Sequence, residues 1–332
     1  MPTLPTPRGP LSAYVVAALA NRPHRLPPAP ETTGGDEDDF HLALYCCYEL
    51  HYRGFDGCDP EWEWEPSLLS FRRRLEARFE AELRREIGPS DVAPSAVEQE
   101  LWALARSDVA PSLSSYMLKR ATLTQFREFL VHRSAYHLKE ADPHSWAIPR
   151  LEGAAKAALI EIQADEYGGG RAPLMHATLF AHTMQALGLD ARYGAYLDWI
   201  PGVSLASVNL ISLLGLHRRL RGALVGHLAL FEMTSTAPNR RYGLGLRRLG
   251  FGPEATHFFD EHVLADSVHE LVAVHDLAAS LAFSEPTLVG DIIFGARALA
   301  VMEQRCAQHL ISSWRAGASS LRADGTGAGI AV

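Results

Sequence analysis

The sequence predicts an all-α protein, because helical patterns follow one another along almost the whole chain between its two ends. With 332 residues, of which 47% are hydrophobic, the chain is long enough to bury a large core. One amphipathic helix is predicted for SLLSFRRRLEARFEAELRREIG, whose apolar residues fall near one face: Leu68, Leu69, Phe71, Leu75, Phe79 and Leu83. No internal repeat occurs at the periods of solenoid proteins.

The two ends of the chain differ from its centre in composition. Residues 1–35 are rich in proline, glycine and acidic residues and are predicted to be flexible, apart from a candidate docking helix, LSAYVVAALA, at residues 11–20. A secretory signal peptide is the alternative for this helix, but its basic and apolar regions are both short. Residues 315–332, which include AGASSLRADGTGAGIAV, are predicted to form a disordered tail.

Two helical units are expected between these ends. Residues 36–110 carry no plausible set of metal ligands and are predicted to form an appended unit, which covers the core or forms a homodimer contact. Glu49 and His51, for example, lie about 200° apart around a helix and cannot face one metal ion. Residues 111–314 are predicted to form the functional core bundle.

Charge and composition exclude several classes of function. The formal net charge of −8 argues against binding to nucleic acid or to an anionic membrane surface. No run reaches the roughly 18 apolar residues that a transmembrane helix needs. The four cysteines show neither C-x-x-C spacing nor a disulfide framework, so a reducing, cytoplasmic location is expected.

The most informative motif is H-x-x-x-D-x-x-H at His262, Asp266 and His269, inside a stretch that otherwise predicts one long helix. At about 100° per residue, Asp266 and His269 fall about +40° and −20° from His262, so the three side chains share one face. The two imidazoles lie about 10 Å apart along the helix axis, which suits two metal ions with the carboxylate between them better than one ion.

Further candidate ligands precede this helix. Glu140 ends the predicted helix TLTQFREFLVHRSAYHLKE, just before the stop signal Ala-Asp-Pro. Glu166 lies near the end of another predicted helix, and His176 lies ten residues later, beyond a run of three glycines and a proline. This break allows Glu166 and His176 to approach one site, which an unbroken helix would prevent. Because glycine favours unusual dihedrals, we also predict that residues 166–176 become ordered when metal binds.

In chain order these residues resemble the ligand pattern of the haem-oxygenase-like di-iron oxidases and oxygenases, the iron-containing redox enzymes. The resemblance runs from about residue 122 to about residue 309 and includes the segments EADPHSWAIPRL and EIQADEYGGG, together with the early segment FHLALYCCYELHYRGF. It implies a haem-oxygenase-like helical bundle, with additional N-terminal helices, that holds two ferrous ions in place of haem. The metal ligands that it implies are Glu140, Glu166, His176, His262, Asp266 and His269.

Carboxylates and neutral imidazoles suit ferrous iron that must react with dioxygen, because they leave open positions and stabilise the ferric state. The expected function is a dioxygen-dependent oxidation of a small organic substrate in specialised metabolism, with an external electron donor as a further partner. An amine, an amino acid and a fatty acid are the substrate classes that the resemblance implies. One alternative is a cofactor-free or haem-binding enzyme on the same bundle, but such an enzyme would leave the carboxylates Glu140, Glu166 and Asp266 without a purpose. The other alternative is a non-catalytic metal-binding protein.

The helix predicted within GLHRRLRGALVGHLALFEMTSTAPNRR carries small residues on one face, at Gly222, Ala223, Gly226 and Ala229. Close helix packing is the expected role of this face, with contact to a substrate or cofactor cavity as the alternative. Glu232 and His227 are five residues apart on this helix and lie on different faces, so they do not form a ligand pair.

Overall fold

The computed structural model describes residues 1–32, 34–107 and 111–323, together with every helical side chain in these ranges except those of residues 266 and 267. Within these ranges the regular structure is entirely helical, which confirms the all-α prediction. The α-helices, numbered in chain order, are α1 (Pro10–Leu19), α2 (Glu37–Glu49), α3 (Pro66–Ile87), α4 (Val97–Ala105), α5 (Leu113–Lys119), α6 (Leu123–His137), α7 (Asp142–Ser145), α8 (Gly153–Glu166), α9 (His176–Ala186), α10 (Gly202–Leu216), α11 (Arg221–Met233), α12 (Thr236–Arg248), α13 (Pro253–Leu271), α14 (Ser280–Ser284) and α15 (Val289–Arg315).

Helix α6 begins with a reciprocal cap and ends three residues before Glu140. Thr122 Oγ1 accepts a hydrogen bond from Gln125 N (3.3 Å), and Gln125 Oε1 accepts one from Thr122 N (3.0 Å). The last helical residue is His137, so the prediction that this helix continues to Glu140 is wrong. The chain turns because Ala141 adopts a left-handed conformation (φ 72°), the one positive φ of a non-glycine residue among those described. Glu140 lies in this turn and is buried.

Helices α11 and α15 cross at very short range through two glycines. A Cβ atom on Gly226 would lie 1.8 Å from the Ile292 carbonyl oxygen, and one on Gly295 would lie 1.8 Å from the Ala223 carbonyl oxygen. No side chain fits at either glycine, so the two backbones themselves form the contact. The small residues of α11 therefore serve helix packing, which confirms that prediction.

The N-terminal helices share their apolar faces with the rest of the bundle. In α1, Leu11, Val15 and Leu19 are buried, and Asp39 of α2 accepts hydrogen bonds from the backbone N–H groups at the start of α1. Helix α2 in turn packs against α10. The candidate docking helix is thus present and packed, whereas the division of the chain into units stays a prediction.

The segment after α15 departs from the predicted disorder. Ser320 is buried, and Glu128 of α6 accepts hydrogen bonds from its backbone N–H (2.8 Å) and its hydroxyl (2.6 Å). Because that hydroxyl donates to Glu128, it accepts a hydrogen bond from His132 Nε2, at 3.0 Å. Because this segment is bonded to α6, the prediction of disorder is wrong for residues 316–323. Composition alone does not reveal such distant partners. Residues 324–332 lie outside the described part of the chain.

Helix α13 carries the H-x-x-x-D-x-x-H motif and continues without a break into a π-helix, Val272–Ala279, and then into α14. The long helix predicted for this stretch is therefore present, with its last third in the wider π form. Among the described helices, none is by itself long and apolar enough to cross a membrane; the bent pair Val268–Ser284 and Pro286–Arg315 meets the length and composition criteria only together.

Candidate metal centre

Four of the predicted ligands converge between α6, α8, α9 and α13. Glu140 lies in the turn after α6, Glu166 is the last residue of α8, His176 is the first residue of α9, and His262 lies in the middle of α13. One donor atom from each lies within 4.8 Å of the others. All four side chains are buried, so each brings a polar atom into a region shielded from water. We call these residues the first donor group.

A second donor group lies beside the first and includes a residue that the sequence analysis did not select. It comprises Glu166, Glu232 of α11 and His269 of α13, again with donor atoms within 4.8 Å of one another. Glu166 belongs to both groups and therefore lies between them. The sequence does contain a signal for Glu232, since it is the one carboxylate in α11 and follows an apolar run. A glutamate in such a buried position requires a partner or a metal ion.

His262 is held in one orientation by its own helix. Its Nδ1 lies 2.8 Å from the Phe258 carbonyl oxygen, which can only accept a hydrogen bond, so Nδ1 carries the proton. Nε2 lies at the first donor group, 3.8 Å from Glu140 Oε1, and is the nitrogen that a metal ion would bind in place of a proton. The ring centroids of His262 and His176 are 4.3 Å apart, so both imidazoles lie at the first donor group.

His269 faces the second donor group. Its Nδ1 lies 3.6 Å from Glu232 Oε2, and its Nε2 lies 3.0 Å from Oδ2 of the exposed Asp165. His269 thus links a buried carboxylate to one at the protein surface. Asp266 lies between His262 and His269 on α13, but its side chain is outside the described part of the structure, so its role as a ligand stays a prediction.

The donor atoms fit metal ions better than they fit one another. Glu140 Oε2, Glu166 Oε2 and His176 Nδ1 are buried and make no hydrogen bond to any described residue. Glu166 Oε2 and His176 Nδ1 lie only 2.9 Å apart, but outside hydrogen-bonding geometry. Buried polar atoms without hydrogen bonds are rare in folded proteins, and carboxylate oxygen and imidazole nitrogen are suitable ligands for iron. The residues present therefore fit two adjacent metal ions.

Comparison with known proteins assigns the chain to a family. The model of the iron-containing redox enzymes matches residues 127–304, more than half of the chain. The chain belongs to the iron-containing redox enzyme family. The resemblance inferred from the order of the ligands is thereby confirmed, and the protein is an oxidoreductase of this family.

Individual relatives agree with this family. A nitrosourea synthase from Streptomyces achromogenes subsp. streptozoticus is 29% identical over 147 residues, which are 44% of this chain but only 31% of the length of that relative. Two crystal structures of a CADD-like protein of unknown function from Nostoc punctiforme PCC 73102 give TM-scores of 0.52 and 0.51, at 19% and 17% identity. The superposed regions cover 65% and 66% of this chain, and 95% and 94% of the chain in the respective crystal structure. The protein is an all-α, haem-oxygenase-like helical bundle with additional N-terminal helices.

In the first donor group of this iron-containing redox enzyme, neighbouring charges outweigh burial. Burial opposes ionisation of Glu140, but His137 and His262 together lower the pKa of this carboxyl. Burial also disfavours the charged form of His176, and Glu166 outweighs it and raises the pKa of that imidazole. Carboxylates and imidazoles are thus paired in a form that a bound metal ion would replace.

In the second donor group, burial acts mainly on Glu232 and neighbouring carboxylates act mainly on His269. Burial raises the pKa of Glu232, and the negative charge of Glu166 adds to this effect. Burial acts to lower the pKa of His269, but Glu232 and Asp165 raise it to about 9. Without metal, the His269 imidazole therefore holds a proton at neutral pH that a bound metal ion would displace.

Three glycines allow Glu166 and His176 to meet. All three residues at 168–170 have positive φ values, and a Cβ atom on Gly168 would lie 2.6 Å from the Leu174 carbonyl carbon. The glycines themselves form one short 3-10 helix, and a second, Ala172–Leu174, returns the chain to the start of α9. The break predicted from the sequence is confirmed, whereas the ordering of this segment by metal stays a prediction.

A cavity of about 110 Å³ adjoins the first donor group. Glu140 and His262 form part of its wall, so a molecule in the cavity would lie beside the metal centre. Six aromatic side chains form much of the remaining wall: Phe129, Phe180, Phe231, Tyr242, Phe258 and Phe259. Arg133 and Glu303 also line it and form an ion pair with two hydrogen bonds, of 2.7 and 2.5 Å. Such a wall suits a small substrate with an apolar body and a polar end.

Proposed function

We propose that this protein is a di-iron enzyme that uses dioxygen to oxidise a small organic molecule. The observation that carries the proposal is the pair of buried donor groups that share Glu166 and adjoin a cavity. The proposed ligands are Glu140, Glu166, His176 and His262 for one ion, and the shared Glu166, Glu232, His269 and Asp266 for the other. Bound ferrous ions would supply electrons for the reduction of dioxygen.

The chemistry of the chain supports this assignment. Four carboxylates balance the charge of two ferrous ions, so the buried centre would carry no net charge, which lowers the cost of burying it. The aromatic wall excludes water from the reacting part of the substrate. A non-catalytic metal-binding protein has no need of a cavity at its metal centre, so the cavity favours an enzyme.

A nitrogen compound, either an amine or an amino acid, is the proposed substrate class, ahead of a fatty acid. The aromatic wall suits a cationic nitrogen group, because aromatic faces attract cations, whereas Arg133 and Glu303 neutralise each other in this wall. The relative named nitrosourea synthase, by that name, makes a compound with an oxidised nitrogen. An external electron donor, a homodimer contact through the N-terminal helices and a cytoplasmic location complete the proposal.

Anaerobic loading with ferrous iron tests this function. We expect about two irons per chain by metal analysis. Exposure to dioxygen with panels of amines, amino acids and fatty acids should then give substrate-dependent oxygen consumption and a product of changed mass. A chain that binds no iron, or that acquires haem absorption, overturns the proposal. Oxygen consumption without an organic product in any panel would favour the non-catalytic alternative.

A further inference from the structure

His137 contacts the metal centre without belonging to either donor group. It is the last residue of α6, and its Nδ1 lies 2.6 Å from Glu140 Oε1, three residues further along the chain. The backbone turns after α6, where Glu140 N donates to the His137 carbonyl oxygen (3.4 Å), so the Glu140 carboxylate lies beside the His137 ring. His137 also lines the cavity beside Glu140.

The two oxygens of Glu140 have different surroundings. Oε1 accepts the hydrogen bond from His137, whereas Oε2 is buried and makes no hydrogen bond to any described residue. A short hydrogen bond to a carboxylate is stronger than a neutral one, so it holds the carboxylate in one rotation. Oε2 is therefore the oxygen available to a metal ion, and Oε1 is occupied.

The imidazole of His137 is itself fixed by its neighbours. Its centroid lies 4.9 Å from that of Phe180, 5.2 Å from that of Phe258 and 5.2 Å from that of Tyr136. Rings packed on several sides restrict rotation of the imidazole, and its side chain is only 13% exposed. His137 can thus keep Glu140 in place when the centre gains or loses a ligand.

We propose that His137 is a positioning residue that restricts Glu140 to one metal-binding oxygen and thereby leaves a coordination position for a reacting molecule. The proposal rests on the metal centre proposed above. If Oε1 were released, Glu140 could bind the same ion through both oxygens and so use a position that a reacting molecule would otherwise take. Carboxylates bind metal ions in either mode, so only the surroundings decide between them.

A matched pair of variants tests the role of the Nδ1 hydrogen bond. In H137N the amide nitrogen takes the place of Nδ1 and can still donate to Glu140, whereas in H137Q it takes the place of Nε2 and cannot. H137F, which keeps the ring volume but has no donor, is a third variant. If H137F fails to fold, the comparison of H137N with H137Q still decides the question.

The probe is cobalt(II), whose visible absorption weakens when a further oxygen ligand binds. We expect wild-type and H137N proteins to share one spectrum, and H137Q and H137F to absorb more weakly with unchanged metal content. Dioxygen should also oxidise ferrous-loaded H137Q at least about tenfold more slowly than ferrous-loaded H137N, a typical effect for groups that hold a ligand.

Two results would overturn the positioning role. One is an H137Q protein with the same cobalt spectrum and the same rate of oxidation by dioxygen as wild-type protein. The other is loss of a metal ion from H137Q, which would show that His137 is needed for metal binding and does not limit the coordination of Glu140. Failure of the proposed metal centre looks different, because wild-type protein would then bind neither cobalt nor iron, and both proposals would fall together. If metal binds but no organic product forms, the oxidation proposal fails, while the cobalt spectra of H137N and H137Q still decide the role of His137.

Discussion

Replacement of Glu232 by glutamine should remove one metal ion and leave the other. Glu232 supplies one of the three described donors of the second group and none of the first. Glutamine keeps the size of the side chain but removes its charge. Changes to groups that merely orient ligands reduce metal affinity by about 10- to 100-fold, so loss of a ligand should cost at least about 100-fold, or about 2.7 kcal/mol.

The assay is metal content after anaerobic loading in the presence of a competing chelator. We expect E232Q and E140Q each to retain about one ion where wild-type protein retains about two, because each glutamate belongs to one group. E166Q should weaken both sites, since Glu166 is shared. His269→Ala should resemble E232Q. The matched control is E161Q, which alters an exposed glutamate on the same helix as Glu166.

The reasoning is refuted if E232Q holds two ions as tightly as wild-type protein does. It is also refuted if E140Q and E166Q give the same stoichiometry and affinity, because sharing of Glu166 would then have no consequence. A decrease in E161Q equal to that in E232Q would show that loss of negative charge, and not loss of a ligand, explains the result.

Further predictions concern stability, pH and the cavity. Gly226→Ala should destabilise the protein by about 3 kcal/mol or more, because its Cβ would overlap the Ile292 carbonyl; G290A, at an open position on α15, is the control in urea unfolding. Burial lowers the pKa of His132 to about 3, against about 6.5 when unfolded, so the unfolded chain binds more protons between these values. Through His132 alone, metal-free protein should therefore lose up to about 1.4 kcal/mol per pH unit below pH 6.5, and H132N should show a smaller loss than the exposed control H24N. Amides of residues 166–180 should exchange more slowly with ferrous iron than without it; equal exchange would mean that the glycines serve packing alone. Glu303→Gln leaves the positive charge of Arg133 uncompensated in the cavity wall, so it should raise KM for a cationic substrate about tenfold or more and leave iron content unchanged; an unaltered KM would show that no cationic group binds beside this pair.

Much of the centre could be predicted because its residues are spaced by regular geometry. The motif on α13 places His262 and His269 on one face whatever the rest of the fold does, and three glycines after Glu166 indicate a reversal of the chain. These signals are local, so they survive without knowledge of tertiary structure. The order of the ligands along the chain then identified the family.

Other parts depend on distant contacts and could not be predicted in this way. Glu232 lies alone on α11, and only the approach of α8 and α13 gives it partners. The buried residue Ser320 binds His132 and Glu128, which lie 188 and 192 residues earlier in the chain. In each case the sequence shows a polar residue of ordinary type, and its role comes from an element far away in the chain.

The π-helix at Val272–Ala279 makes this stretch more tolerant of a change in chain length than the rest of its helix. A π-turn holds one more residue than an α-turn, so removal of a single residue here would restore the α form while the helix on either side keeps its facing. The buried Leu277 and Ala278 would stay in the core, and His269 would stay in the second donor group. A deletion between His262 and His269, in the regular part of α13, would instead turn one imidazole by about 100° relative to the other. In a collection of deletion variants, survivors are therefore expected within Val272–Ala279 and not between the two histidines.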